Sequence, residues 1–149
     1  MTTLVSGTSA WTNRFTSPTV EDLIADIDIE HRELFDHART CLGKLDGIVE
    51  RLSWQGIPWR WTLVYAAESD PDTLLTYLVP EPGRPQISVP LRTEIINQIK
   101  PRKISRIVRD GILQASHVDQ VYWPSWDLAS KTGIGEIIQL VKLRVAAAS

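Results

Sequence analysis

The chain has 149 residues, of which 16 are Lys or Arg and 18 are Asp or Glu, so its formal net charge is −2. This length predicts one domain with its own core, and a hydrophobic fraction of 43% with 23% charged residues argues against disorder. The single cysteine, Cys41, excludes an internal disulfide framework and a cysteine-rich zinc module, and the lack of any run of about 18 apolar residues excludes an ordinary transmembrane helix.

The N-terminal part is predicted to be a flexible arm over residues 1–16, followed by a single domain over 17–149. The arm does not begin with basic residues followed by an apolar run, so no secretory signal is visible. We therefore expect a cytoplasmic protein. A Ser-Pro-Thr start at 17–19 predicts a helix. Its apolar spacing slips at residues 28–29, which predicts one kinked helix or two consecutive helices, ending between Gly43 and Gly47.

The pattern then changes from helical to strand-like. Residues 59–66 alternate between large apolar and other side chains, and the same period of two returns at 75–79 and 87–91. The prolines at 80–85 predict a loop, because proline cannot donate to a strand ladder. Since the connections are too short for crossover helices, we expect an antiparallel meander.

Helical spacing returns at 95–99 and again at 104–115, a last strand is predicted at 120–123, and a final helix carries an apolar face over 134–145. The order predicts an α+β fold. We expect a two-layer sandwich, in which the N-terminal and C-terminal helices cover one face of an antiparallel sheet. The other face is expected to be partly open and lined by some of the Trp side chains.

No signature of a catalytic nucleophile, phosphate loop or zinc protease occurs, so we expect a protein that is not an enzyme. A cluster of carboxylates in the first helical region is the main metal candidate, because oxygen ligands suit hard cations. Its alternative is a solvated outer face. The candidate residues are Glu21, Asp22, Asp26, Asp28, Glu30 and Glu33. A second, weaker metal candidate is the helical trio of Glu33, His37 and Cys41, in which Cys41 also fits the apolar stripe.

Three indoles within eight residues form the second candidate site. Trp54, Trp59 and Trp61 flank a turn, and Arg60 is expected on the opposite face of the strand that follows. Aromatic walls with one guanidinium suit a ligand cleft, whereas the alternative is a Trp-rich core.

Arg102, Arg106 and Arg109 are spaced four and three residues apart, which predicts one basic helix face. Such a row can hold a phosphate, a nucleic acid backbone or an acidic partner. A sequence pI near 5.9 argues against nucleic acid binding, and a solvated face is the alternative.

With these residues in view, the chain resembles the YdhG-like family of small proteins. The resemblance lies in the blocks EDLIADIDIEHRELFDHARTCL, IVERLSWQGIPWRWTLVYAA and PSWDL with IGEIIQLVKLRV, and it includes Glu50, Trp54, Gly56 and Pro58. It implies a fold similar to frataxins and an intracellular iron chaperone function for some members. The acidic ridge that holds iron in frataxins would fall here on Glu21, Asp22, Asp26, Asp28, Glu30 and Glu33.

The sequence therefore predicts a non-enzymatic binding protein whose acidic first helix binds iron or another cation. The alternative is a small-molecule or protein-binding module that uses the surface around Trp54–Trp61. The expected partners are iron or a small molecule and an unidentified protein, without a nucleic acid or a membrane.

Overall fold

The computed structural model describes residues 9–148, without the side chains of Pro101 and Ala148. The protein is α+β, with the helices α1 (Val20–Asp26), α2 (Ile29–Gly43), α3 (Thr93–Ile96), α4 (Arg106–Leu113) and α5 (Lys131–Ala148). The strands are β1 (Ile48–Trp54), β2 (Trp61–Ala67), β3 (Asp70–Val79), β4 (Gln86–Ser88), β5 (Leu91–Arg92), β6 (Ser116–Val118), β7 (Val121–Trp123) and β8 (Ser125–Asp127).

The N-terminal helical region consists of two helices. Thr19 and Asp22 form a reciprocal capping box at the start of α1, with both hydrogen bonds 3.1 Å long. α1 ends because Ile27 takes an extended backbone conformation. The Arg32 guanidinium donates to the carbonyls of Ala25 and Ile27 at 2.7 and 2.9 Å, which satisfies acceptors at this helix end. The slip in the sequence pattern therefore marks a break between helices.

Strands β2, β3 and β4 form the predicted antiparallel meander, and β1, which was not predicted as a strand of its own, pairs antiparallel with β2. The main sheet has five strands in the order β1-β2-β3-β4-β8. The predicted strand over 87–91 is divided, because β4 ends at Ser88 and Pro90 separates it from β5. The loop predicted at 80–85 is confirmed, since that segment forms a proline-rich connection between β3 and β4.

A second sheet was not predicted. It has three strands in the order β5-β7-β6, and its central strand β7 is the strand predicted at 120–123. Pro124 separates β7 from β8, which crosses to the main sheet and pairs with β4. The helical region at 95–99 is shorter than predicted, and the one at 104–115 becomes α4.

The main core lies between one face of the large sheet and the helices α2 and α5. α2 contributes Phe35, Ala38 and Leu42, whereas α5 contributes a row of isoleucines and valine. Because these side chains are fully or almost fully removed from water, each one larger than alanine contributes on the order of 1.5–3 kcal/mol of burial free energy. The sheet side of this core is formed by Leu63, Tyr65, Leu78 and Ile87. The N-terminal and C-terminal helices therefore cover one face of the sheet, as predicted.

The opposite face of the sheet is also buried over much of its area. Val64 and Ala66 point away from the helices, because side chains alternate along β2, and both are buried. Tyr77 of β3 is buried on this face and its ring contacts those of Trp59 and Trp123, with centroids 4.9 and 6.0 Å away. This face is open at strand β1, where Val49 is 48% exposed.

α4 packs against β8 through a glycine. A Cβ atom built on Gly111 would lie 2.8 Å from Cδ1 and from Cε2 of the buried Trp126 ring and closer still to Nε1. The same indole donates a hydrogen bond of 3.2 Å to the carbonyl of Val108. Gly111 therefore permits a helix-to-sheet contact that no other residue type allows.

Residues 9–16 belong to the predicted arm, and this part contacts the domain. A 3₁₀ turn at Ala10–Thr12 places Trp11 in a small buried cluster with Leu23 and Val79. Residues 1–8 lie outside the described residues, so the division into arm and domain stays a prediction. Within residues 9–148 no helix is both long and apolar enough to cross a membrane.

Candidate functional site

The six predicted carboxylates are all exposed, but most have local partners. Asp22 belongs to the capping box, and Asp26 accepts a hydrogen bond of 2.8 Å from the backbone N–H of Ala10. Glu33 forms an ion pair of 3.1 Å with Lys131 of α5. Glu21 lies in the first turn of α1, where its charge complements the helix N-terminus. These four residues therefore do not converge on a common point.

The two other predicted residues meet at the start of α2. The potential metal-ligand atoms of Asp28, Glu30 and His31 lie within 4.8 Å of one another. Among the described residues, this is the group of three potential metal-binding side chains whose ligand atoms come this close. Asp28 is the N-cap residue of α2, and its carboxylate makes no capping hydrogen bond. The Nε2 atom of His31 lies 3.8 Å from Glu30 Oε1. Among residues 9–148 neither carboxylate pairs with a lysine or an arginine, so the ion pair at this point is the one between Glu30 and His31.

His31 was missed as a ligand by reasoning from the sequence. The histidines were compared only for a shared helix face, and His31 and His37 do not share one. The signal that could have found it is its position beside Glu30 in the first turn after a helix break. The N-cap residue and those of the first turn follow one another within a few positions, so their side chains can lie close together.

The Trp-rich segment forms the end of the β1–β2 hairpin. Trp54 and Trp61 pair across the strands, and their rings meet edge to face with centroids 5.6 Å apart. The connecting loop has Gly56 at φ 76° and Arg60 at φ 58°, both in the left-handed region. β2 begins at Trp61, so Arg60 is a loop residue and the prediction that it faces away on a strand was wrong.

The space between these aromatic side chains is filled by the chain itself. Trp11 donates from Nε1 to the carbonyl of Trp59 at 2.8 Å, and the Arg60 guanidinium carbon lies 5.3 Å from the centre of the Trp11 ring. Trp61 donates from Nε1 to the carbonyl of Asn13 at 2.8 Å. Two indole N–H groups and the guanidinium therefore hold the 3₁₀ turn. Residues 10–13 therefore pack on Trp59 and Trp61, whereas Trp54 contacts the ring of Trp61.

A charged network that the sequence did not reveal links α2 to the sheet. The Arg39 guanidinium donates two hydrogen bonds to the Glu50 carboxylate, at 3.0 and 3.1 Å, and the Tyr65 hydroxyl donates to Glu50 at 2.5 Å. Burial alone would raise the pKa of Glu50, but these hydrogen bonds outweigh it and hold that pKa below its usual range. Burial, and next the bond to Glu50, raise the pKa of Tyr65. The network is a stabilising clamp among α2, β1 and β2.

The other two sets of candidate residues are divided by the structure. Cys41 Sγ lies 3.7 Å from His37 Nε2, but Glu33 forms its ion pair with Lys131. The three side chains of the second metal candidate therefore do not come together. Arg102 lies in a 3₁₀ turn at Pro101–Lys103 and Arg106 starts α4, so the arginine row does not share one helix.

Comparison with known proteins adds no assignment to this geometry. No protein-family model matches the chain, and no curated protein is significantly similar to it. The resemblance to the YdhG-like family therefore stays a prediction.

Proposed function

We propose that the protein is a non-enzymatic binding protein that holds a divalent cation, iron(II) in the first place, at the start of α2. The observation that supports this is the convergence of Asp28, Glu30 and His31 within 4.8 Å. Carboxylate oxygen and imidazole nitrogen are both ligands of ferrous iron. A cation with three protein ligands keeps positions for water, so it binds as an exchangeable cargo.

The surroundings of the site favour weak rather than tight binding. The exposed carboxylates of α1 and α2 attract cations to this end of the molecule. The partial positive charge at the N-terminus of α2 disfavours a bound cation by about 0.3–1 kcal/mol. The positively charged Arg32 guanidinium also lies nearby, between α1 and α2. A protein that delivers iron needs this balance of capture and release. We place this activity in the cytoplasm, where a free cysteine such as Cys41 stays reduced.

The test is an anaerobic titration of the full chain with ferrous iron, followed by amide NMR spectra. We expect paramagnetic broadening centred on residues 28–31. The variant Asp28→Asn/Glu30→Gln should lose it, whereas the matched variant Glu21→Gln/Asp36→Asn, which removes the same amount of charge from α1 and α2 outside the proposed site, should keep it. Broadening that both variants lose equally, or that centres on His37 and Cys41, would contradict the proposed site.

A second candidate function is docking of a protein or small molecule on the hairpin around Trp54–Trp61. The observation that favours it is Ile57, which is 78% exposed at the hairpin tip beside the half-buried rings of Trp54 and Trp59. Trp fluorescence of the Asp28→Asn/Glu30→Gln variant separates the two functions. Organic ligands that bind the hairpin should still shift its emission after the cation site is lost.

A further inference from the structure

An apolar cleft with a cationic rim lies between residues 98–104 and the middle of α5. Its volume is about 360 Å³, which falls in the range of small-molecule sites. The interior is aliphatic and the rim carries two exposed ammonium groups. The interior residues are Ile99, Ile104, Leu140 and Leu143, and those of the rim are Lys100 and Lys103.

The charges at this cleft are not balanced within the protein. Glu136 supplies the carboxylate that lines it, and this carboxylate accepts a hydrogen bond from the backbone N–H of Ser105, before the first turn of α4. Among residues 9–148, neither Lys100 nor Lys103 forms an ion pair within 4.0 Å. The two ammonium groups are exposed, and the single carboxylate of the lining offsets only part of their charge, so the cleft keeps a net positive charge.

A second cleft on α5 gives the comparison. It lies between α2 and α5, has a volume of about 560 Å³, and also carries two lysines, Lys44 and Lys142. Its lining includes the exposed carboxylate of Asp46, which offsets part of their charge. Each cleft therefore carries two lysines and one carboxylate, and the difference lies in the placement of the lysines. Lys100 and Lys103 bound a single 3₁₀ turn, whereas Lys44 follows α2 and Lys142 lies on α5.

We propose that the cleft at 98–104 binds an aliphatic carboxylate of the fatty-acid type. The tail lies on the side chains of Ile99, Ile104 and Leu143, which removes apolar surface of both partners from water. The carboxylate lies between Lys100 and Lys103, which supply charge-assisted hydrogen bonds. None of the residues that line this cleft is aromatic, so a flexible aliphatic chain fits it better than a flat ring.

The test is calorimetric and NMR titration of the full chain with sodium decanoate. We expect amide shifts confined to residues 98–104 and 139–143. Lys100→Glu/Lys103→Glu should weaken binding by about tenfold or more, because two attractions become repulsions. The matched variant Lys44→Glu/Lys142→Glu has the same net charge and should bind decanoate within about twofold of the wild type.

Two further measurements examine the tail and the headgroup. Ile99→Ser should weaken decanoate binding, with thermal unfolding used to verify that the variant is folded. Decanol, which has the same chain without the charge, should bind less tightly than decanoate. Equal loss of binding in both lysine variants, shifts outside the cleft, or decanol binding as tight as decanoate would each overturn the proposal. So would binding of an acidic peptide without binding of decanoate.

Discussion

Replacing Gly111 by alanine should destabilise the protein, although the same change in an ordinary helix stabilises it. Alanine favours a helix interior over glycine by about 1 kcal/mol. At Gly111, however, the new methyl group would lie 2.8 Å from two atoms of the Trp126 ring, well inside van der Waals contact. That ring is only 4% exposed, so it cannot swing into solvent.

The magnitude follows from three contributions. Overpacking of a buried contact costs roughly 1–3 kcal/mol. Displacement of Trp126 also breaks its hydrogen bond to the Val108 carbonyl, which costs about 1 kcal/mol. After subtraction of the gain in helix propensity, Gly111→Ala should lower the free energy of unfolding by about 2 kcal/mol. For a chain of this size the midpoint of thermal unfolding should fall by roughly 4–8 °C.

Urea unfolding followed by far-ultraviolet circular dichroism measures this difference. Gly135→Ala is the matched control, because Gly135 lies inside α5 and a Cβ there meets no atom within 4 Å. The control should be more stable than the wild type by up to about 1 kcal/mol. If Gly111→Ala proves as stable as Gly135→Ala, the close contact with Trp126 is refuted. In a Trp126→Phe background the penalty of Gly111→Ala should shrink, because the smaller ring leaves room for the methyl group.

Three other predictions test the clamp of Arg39, Glu50 and Tyr65 and the 3₁₀ turn that contains Trp11. Tyr65→Phe should lower the free energy of unfolding by about 1–2 kcal/mol in urea titrations, since Glu50 loses a buried hydrogen bond. The stability that ionised Glu50 contributes should be complete above about pH 5 and be lost as the pH falls through its pKa, which lies below the ordinary 4.5. The difference in unfolding free energy between the wild type and Glu50→Gln should therefore shrink over that pH range. A difference that does not change with pH would contradict the clamp. Trp11→Ala should cost about 3 kcal/mol, because it removes a buried indole with its hydrogen bond to Trp59, and it should shift the remaining Trp fluorescence to the red.

Much of the secondary structure could be read from local signals. The capping box at Thr19 and Asp22, the slip at residues 28–29 and the period of two in β2 are all contained within a few residues. The short strands β6 and β8 were not predicted, because each has three residues and three residues show no period. The pairing of β8 with β4 joins segments about 40 residues apart, which no local pattern indicates.

The sequence by itself determined the residue types of the candidate sites, whereas only the tertiary structure decided which of them meet. The carboxylates at 28 and 30 were in the predicted set, yet their third partner, His31, depends on the break between α1 and α2. The Trp-rich hairpin was visible, but residues 10–13 occupy it because Trp11 reaches Trp59 across 48 positions of sequence. Lys103 and Leu143 likewise share a cleft only through folding. Periodicity reports what a residue and its near neighbours prefer, whereas a site depends on contacts between distant segments, which form only when the core brings those segments together.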